Sequence, residues 1–269
     1  MNYQLKNSTI VHSKIKNALL FSLGIILIIF IVQLLSLIKN DNLVFPNVLE
    51  IFKAFFSLLG NGKTYGMIGH TLLRLIISLL IALLFGIIIG IFEGVFDNVR
   101  IVLKPLMTLL RSLPMIVLIV IIMVLVASSS WDNVPVIGTT ILLIPLISEA
   151  VAEGVKNMDK ALIDVYKLNS NLRPYVIFRV HIPLIIGYIK QAFINAIGMG
   201  IKIIITTEYI VSATPSLGKG IYNSQYFAEY ENIYAYAIIM ILLALIIEAI
   251  PILISKLYNY LRFRRQQAN

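Results

Sequence analysis

The sequence has few residues that could carry redox, metal or charge-based chemistry. It contains no cysteine among its 269 residues, which excludes thiol chemistry. Its three histidines, His12, His70 and His181, are far apart and show no metal-ligand spacing. Only 13% of the residues are charged, against roughly 25% in a soluble domain, whereas 59% are hydrophobic. This composition predicts an integral membrane protein built as one bundle.

Long apolar runs divide the chain into candidate membrane spans. A helix needs roughly 20 apolar residues to cross a bilayer, and six runs reach or approach this length. The first run follows a basic segment, as in a signal peptide. It is too long and has no clear cleavage site, so we expect a retained span. The sequence therefore predicts an all-α protein with spans at 18–38, 70–92, 107–127, 134–152, 182–207 and 232–256.

The net charge of +9 could indicate a nucleic-acid surface. The placement of the basic residues favours a topology signal instead, because cytoplasmic loops are enriched in Lys and Arg. With the N-terminus inside, the inside segments carry fourteen basic residues and the outside segments four. We therefore expect both termini in the cytoplasm, the lipid bilayer as the surroundings, and no nucleic-acid partner.

The first outside loop, 39–69, combines an interfacial helix with a motif that resembles a nucleotide site. Pro46 can begin the helix, and an apolar stripe follows at helical spacing. Residues 57–64, SLLGNGKT, have Ser57 where a phosphate-binding loop requires glycine. A helix rather than a strand precedes them, and they lie outside. Any ATP hydrolysis therefore belongs to another polypeptide.

Three glycines in the second span recur every four residues, at Gly86, Gly90 and Gly94. Small residues at this spacing let two helices approach closely. The sequence leaves open a contact within the chain or a contact with a second subunit.

A polar helix is predicted between the fourth and fifth spans, at about 159–171. Asp159 can cap its N-terminus. Leu162, Val165 and Tyr166 make one apolar face, and Asp164 with Lys167 lies elsewhere on the surface. This pattern fits equally a connecting helix on the bilayer and a helix that docks into a groove of a cytoplasmic partner.

The fifth span carries a candidate transport pathway. Charges within spans are functional candidates, and Lys202 lies deep in this apolar run. Asn195 and Met199 precede it on the same helix face, so we expect these residues to line a pathway that favours an anion. Glu208 is assigned to the same pathway. In the alternative, Lys202 pairs with Glu208 or Glu248 or extends to the interface.

Several segments resemble the permeases of bacterial ABC importers. In their cytoplasmic loop, E-A-A-x-x-x-G precedes a proline by about a dozen residues. In this chain, the E-A-A place is taken by Asp164-Val165-Tyr166, the glycine place by Ser170 and the proline place by Pro183. The segments 70–91, 103–125 and 207–221 are similar to the nitrate, sulfonate and taurine branch. The resemblance covers roughly residues 45–260.

This resemblance implies a six-helix membrane subunit that pairs with a second copy, as a homodimer. Each copy would dock one coupling helix into a cytoplasmic ATPase that binds ATP and Mg, and an external binding protein would deliver the solute. The permease itself would bind no cofactor and would not be an enzyme. We divide it into an N-terminal part (1–69), a permease core (70–260) and a basic tail (261–269).

Other functions fit the sequence less well. An ion-gradient-driven secondary transporter usually has more spans and paired halves. A membrane enzyme needs a clustered nucleophile, metal or acid–base set, and none is present in the sequence. The membrane component of an energy-coupling vitamin transporter would carry Arg-centred coupling motifs that are not found. The sequence leaves the substrate open between a small anion, such as a sulfonate, and a vitamin precursor.

Overall fold

The computed structural model describes residues 46–159 and 174–267, together with ten positions between 20 and 34. In this described part of the chain, the regular structure is helical throughout. A 3₁₀ helix, Ser128–Asn133, precedes the fifth α-helix. The α-helices are α1 (Val48–Gly60), α2 (Gly62–Val95), α3 (Asp97–Ser112), α4 (Met115–Leu125), α5 (Val134–Lys156), α6 (Pro174–Val211), α7 (Leu217–Tyr226) and α8 (Tyr230–Gln267).

The chain divides into two compact units. The described residues of the smaller unit fall within 1–61 and 223–238 and include α1, the end of α7 and the start of α8. Those of the larger unit fall within 62–222 and 239–269 and include α2 to α6 and most of α8. The residues predicted for the pathway all lie in the larger unit.

The glycine row of α2 packs against α5. A Cβ atom built at Gly86 would lie 2.8 Å from the Cβ of Ile147, and one at Gly90 would lie 2.5 Å from the carbonyl oxygen of Ser148. Gly94 is equally close to α5. A side chain at any of these positions would force the two helices apart. The glycine row therefore forms an intrachain contact, the first of the two interpretations that the sequence left open.

Aliphatic side chains from α2, α5 and α6 form a core around this contact. Leu75, Leu143 and Ile204 are at most 2% exposed. Lipid tails are as apolar as these side chains, so burial alone gives little preference for protein over lipid. Close packing therefore stabilises the association of these helices.

Four helices in the described ranges are long and apolar enough to cross a membrane. They match the second, fourth, fifth and sixth predicted spans. The first predicted span, 18–38, lies mostly outside the described residues. The four are Gly62–Val95, Ser129–Lys156, Arg179–Val211 and Tyr230–Pro251.

The third predicted span, 107–127, is not a single helix. Here α3 and α4 meet at an angle of 104°. Pro114 disfavours helical backbone in the residue before it and donates no hydrogen bond. Leu113 accordingly leaves the helical region, with ψ at 130°. The predicted span is therefore interrupted: α3 and α4 form a broken span or a re-entrant segment, and counting this pair as one span gives up to five candidate spans in the described residues.

The fifth span begins earlier than predicted. The candidate span runs from Arg179, and its helix α6, described from Pro174, continues through Pro183. The sequence interpretation had placed Pro183 at the entrance to this span. A proline inside a membrane helix is tolerated when neighbouring groups satisfy the freed backbone.

The helix predicted in the loop 39–69 is present as α1 (Val48–Gly60). The backbone N–H of Asn47 donates a hydrogen bond to Oε2 of Glu50 at 2.9 Å, which stabilises the helix start. Ile51 is buried, whereas Phe52 and Phe56 are exposed. The SLLGNGKT segment joins the end of α1 to the start of α2. It therefore lacks the strand–loop–helix setting of a phosphate-binding loop.

Candidate functional site

A row of polar side chains follows one face of α6 within the candidate span Arg179–Val211. Gln191, Asn195 and Lys202 are exposed, and Thr206 is half-buried. At 3.6 residues per turn, these four positions fall within an arc of roughly 60°. Met199 lies at the edge of the arc and is 49% exposed. We call these five residues the α6 polar face.

Local hydrogen bonds connect parts of this face. The Nε2 group of Gln191 donates to Oδ1 of Asn195 at 3.0 Å. The hydroxyl of Thr206 donates to the carbonyl oxygen of Lys202 at 2.8 Å. The Lys202 ammonium takes part in no ion pair within the described ranges. Its charge is therefore available to a solute or to water.

A polar row of this kind does not suit contact with lipid. Polar and charged side chains within membrane spans usually face protein or a water-filled cavity, because hydrocarbon cannot satisfy them. The other side of α6 carries small and aliphatic residues such as Ala192, Ala196 and Ile204, which are buried in the core. The α6 polar face therefore requires water or a further protein surface against it.

Glu248 of α8 lies beside this face. A Cβ atom built at Gly198 would lie 3.3 Å from the carboxyl carbon of Glu248, so the glycine lets the acid approach the α6 backbone. Gly198 precedes Lys202 by about one turn, which places acidic and basic groups along the same stretch of α6. The sequence named Glu248 only as a possible partner of Lys202; the described residues show no ion pair between the two, and the carboxylate lies against Gly198 instead.

Glu208 lies on a different face of α6 and is fully buried, at 0% exposure. Its carboxylate accepts hydrogen bonds from the Thr71 hydroxyl at 2.8 Å and from Nη1 of Arg74 at 3.0 Å. The N–H of Gly218 approaches the same carboxylate at 3.4 Å. A Cβ at Gly218 would lie 2.5 Å from the Cβ of Glu208, so the close contact requires glycine. The structure thus separates Glu208 from the other predicted pathway residues.

The same contacts hold the loop between α6 and α7. The guanidinium of Arg74 donates to the carbonyl oxygens of Pro215 at 3.0 Å and Thr214 at 3.4 Å. The N–H of Leu217 donates to the hydroxyl of Thr71 at 3.1 Å. Arg74 therefore anchors this loop through contacts with Glu208, Thr214 and Pro215. We call this network the polar clamp: Thr71, Arg74, Glu208 and the segment 213–218, which includes the start of α7.

Most of the residues predicted to couple to an ATPase lie outside the residues that the structure describes. Pro183 is described and lies in α6. The other six fall outside the described residues, so their coupling role stays a prediction. They are Leu162, Asp164, Val165, Tyr166, Lys167 and Ser170.

The sequence comparisons assign this helical assembly to a family. Residues 82–264 match the family described as "Binding-protein-dependent transport system inner membrane component". The matched range includes the α6 polar face, Glu208 and the broken segment α3–α4. No curated protein matches the chain. The chain is therefore an all-helical, multi-pass inner membrane protein that belongs to this family, and it is the permease component of an ABC transport system rather than the ATPase subunit.

Proposed function

We propose that the chain forms the solute pathway of an ABC importer, with the α6 polar face as part of its lining. An external binding protein delivers the solute, and a separate subunit binds ATP and Mg and hydrolyses the ATP. The proposal retains six spans, with the first at 18–38, and places both termini in the cytoplasm.

The exposed polar row on α6 carries this proposal. It lies within a helix that is long and apolar enough to span a membrane, yet it presents amide, hydroxyl and ammonium groups along one narrow strip. A continuous hydrated strip is what a polar solute needs to cross a bilayer core.

A second copy of the chain would enclose this strip. In a twofold dimer, the same patch of each subunit faces its counterpart. Two α6 polar faces would then border one central passage, and lipid would be excluded from both. A homodimer therefore accounts for the exposure of the row without leaving polar groups in hydrocarbon.

Lys202 favours an anionic solute in this passage. We expect Lys202→Gln to lower ATP-dependent uptake of the solute that the cognate binding protein retains, with the ATPase still bound. Uptake in proteoliposomes at limiting and saturating solute measures the effect, and Lys53→Gln on α1 is the control. Unchanged uptake of an anion by Lys202→Gln at both concentrations would contradict this role.

Coupling is proposed to occur through the segment 159–171. Its apolar residues would fill a groove on the ATPase, and Asp164 would lie at the rim, where charge selects the partner. We expect Asp164→Arg and Tyr166→Ala each to lose co-purified ATPase, with Lys53→Ala retaining it. The account of coupling fails if both variants keep the bound ATPase and full ATP-dependent uptake.

A further inference from the structure

A charged cavity lies between α2, α3 and α5, apart from the α6 polar face and the polar clamp. Its volume is about 420 Å³, within the range of roughly 300–1,000 Å³ that is typical of ligand sites. Its basic lining residues come from two helices. They are Arg100, Lys104 and Arg111 of α3 and Lys156 of α5.

The protein itself neutralises only part of this charge. Glu149 pairs with Arg111. Glu93 is buried and accepts a hydrogen bond from the Ser148 hydroxyl at 2.7 Å. Glu153 is the remaining acid of the lining. Within the described ranges, three of the cavity cations take part in no ion pair, which leaves an excess of positive charge for an anion: Arg100, Lys104 and Lys156.

The surface of α3 that points away from the cavity is apolar. Arg100, Lys104 and Arg111 recur at helical spacing on the cavity side. On the other side, four large apolar side chains are 51–75% exposed: Ile101, Val102, Leu106 and Leu109. A helix with one basic face and one apolar face is typical of a helix that lies in the membrane interface.

In the proposed orientation, with both termini in the cytoplasm, this end of the bundle lies at the cytoplasmic leaflet. Basic pockets between helices on that side can bind anionic headgroups. The guanidinium of Arg100 can form paired hydrogen bonds to phosphate oxygens, and the two lysines act as point charges.

We propose that this cavity binds the phosphate of an anionic phospholipid from the cytoplasmic leaflet. The phosphate contacts Arg100, Lys104 and Lys156, and the acyl chains pass beside α3 into the hydrocarbon. The bound lipid would hold α3 in the interface, next to the break at Leu113 and Pro114.

Native mass spectrometry of the purified full chain tests this proposal, with phosphatidylglycerol and phosphatidylcholine as probes. The wild type is expected to retain one phosphatidylglycerol per chain in preference to phosphatidylcholine. A triple variant, Arg100→Gln with Lys104→Gln and Lys156→Gln, is expected to bind phosphatidylglycerol about fivefold more weakly per cation removed. Lys104→Gln alone changes one exposed side chain and is expected to show about a fivefold loss even if the triple variant fails to fold.

The matched control has the same loss of charge in the segments predicted to be outside: Lys53→Gln with Lys63→Gln and Lys219→Gln. It is expected to keep the wild-type preference. Equal retention of the two lipids by the wild type, or an equal loss in the control, would overturn the proposal.

Inorganic phosphate is the third probe and separates the two sources of this ligand chemistry. If phosphate alone fills the site and phosphatidylglycerol adds no affinity, the lipid assignment is overturned. The lipid assignment is also overturned if the triple variant keeps its bound lipid but loses a co-purified ATPase, because the cations would then contact a protein.

Discussion

At the residue scale, two ion pairs of the larger unit lie in very different surroundings. Arg74 and Glu208 are 12% and 0% exposed. Arg111 and Glu149 are 42% and 58% exposed. Removal of one partner leaves an uncompensated charge only where water cannot reach it. The two pairs should therefore differ in their effect on stability, although both join an arginine to a glutamate.

We expect Glu208→Leu to lower the free energy of unfolding by about 3–5 kcal/mol, because Arg74 would remain nearly buried without its partner. Glu149→Leu is the matched control and should change it by less than about 1 kcal/mol, as for exposed ion pairs. Unfolding of the purified protein in mixed micelles measures both. Losses of equal size would contradict the role given to the polar clamp.

Helical periodicity predicts part of the candidate site. As expected from their spacing, one face of α6 carries Asn195, Met199 and Lys202. Helical spacing also places Gln191 and Thr206 on this face, although the sequence interpretation did not name them. Glu208 follows Lys202 by six residues, a rotation of roughly 240°, so periodicity already separates the two. Its contact with Arg74 joins residues 134 positions apart and cannot be read from a local pattern.

At the element scale, the local sequence predicts two features of the fold, the close contact made by the glycine row and the helix break at Pro114. Small residues every four positions indicate a close helix contact, and a proline indicates a break. The sequence did not reveal that the partner of the glycines is α5. It also did not predict the angle of 104° between α3 and α4. The helix partner and the angle both depend on how helices that are distant in sequence pack together.

We expect Gly90→Ala to destabilise the protein by about 1–3 kcal/mol, because its Cβ has no space against the α5 backbone. Gly69→Ala in the same helix is the control. A Cβ at Gly69 meets nothing within 4 Å, so the higher helix propensity of alanine should stabilise by up to about 1 kcal/mol. Thermal unfolding in detergent measures both variants. The packing account fails if Gly90→Ala is as stable as Gly69→Ala.

At the scale of the whole molecule, hydropathy predicts the helical membrane class and most span positions. Four predicted spans correspond to helices in the described residues, and the third is broken. Periodicity cannot show which helices are neighbours. The approach of Glu248 to Gly198 and the cavity between α2, α3 and α5 therefore emerge only from the assembled helices.

The central claim is that the α6 polar face contacts water along a solute pathway. The chain has no natural cysteine, so one introduced thiol reports on its own position. The variants for this test are Asn195→Cys and Lys202→Cys on the face. Leu80→Cys on α2 is the control, since Leu80 is 63% exposed on an apolar span.

The most direct measurement is the rate at which a charged, membrane-impermeant thiol reagent labels these variants in the assembled transporter. We predict that Asn195→Cys and Lys202→Cys react and that labelling blocks uptake, whereas Leu80→Cys stays unlabelled in lipid. The pathway would be contradicted if the labelling rates of both face variants were no higher than that of Leu80→Cys, with and without ATP.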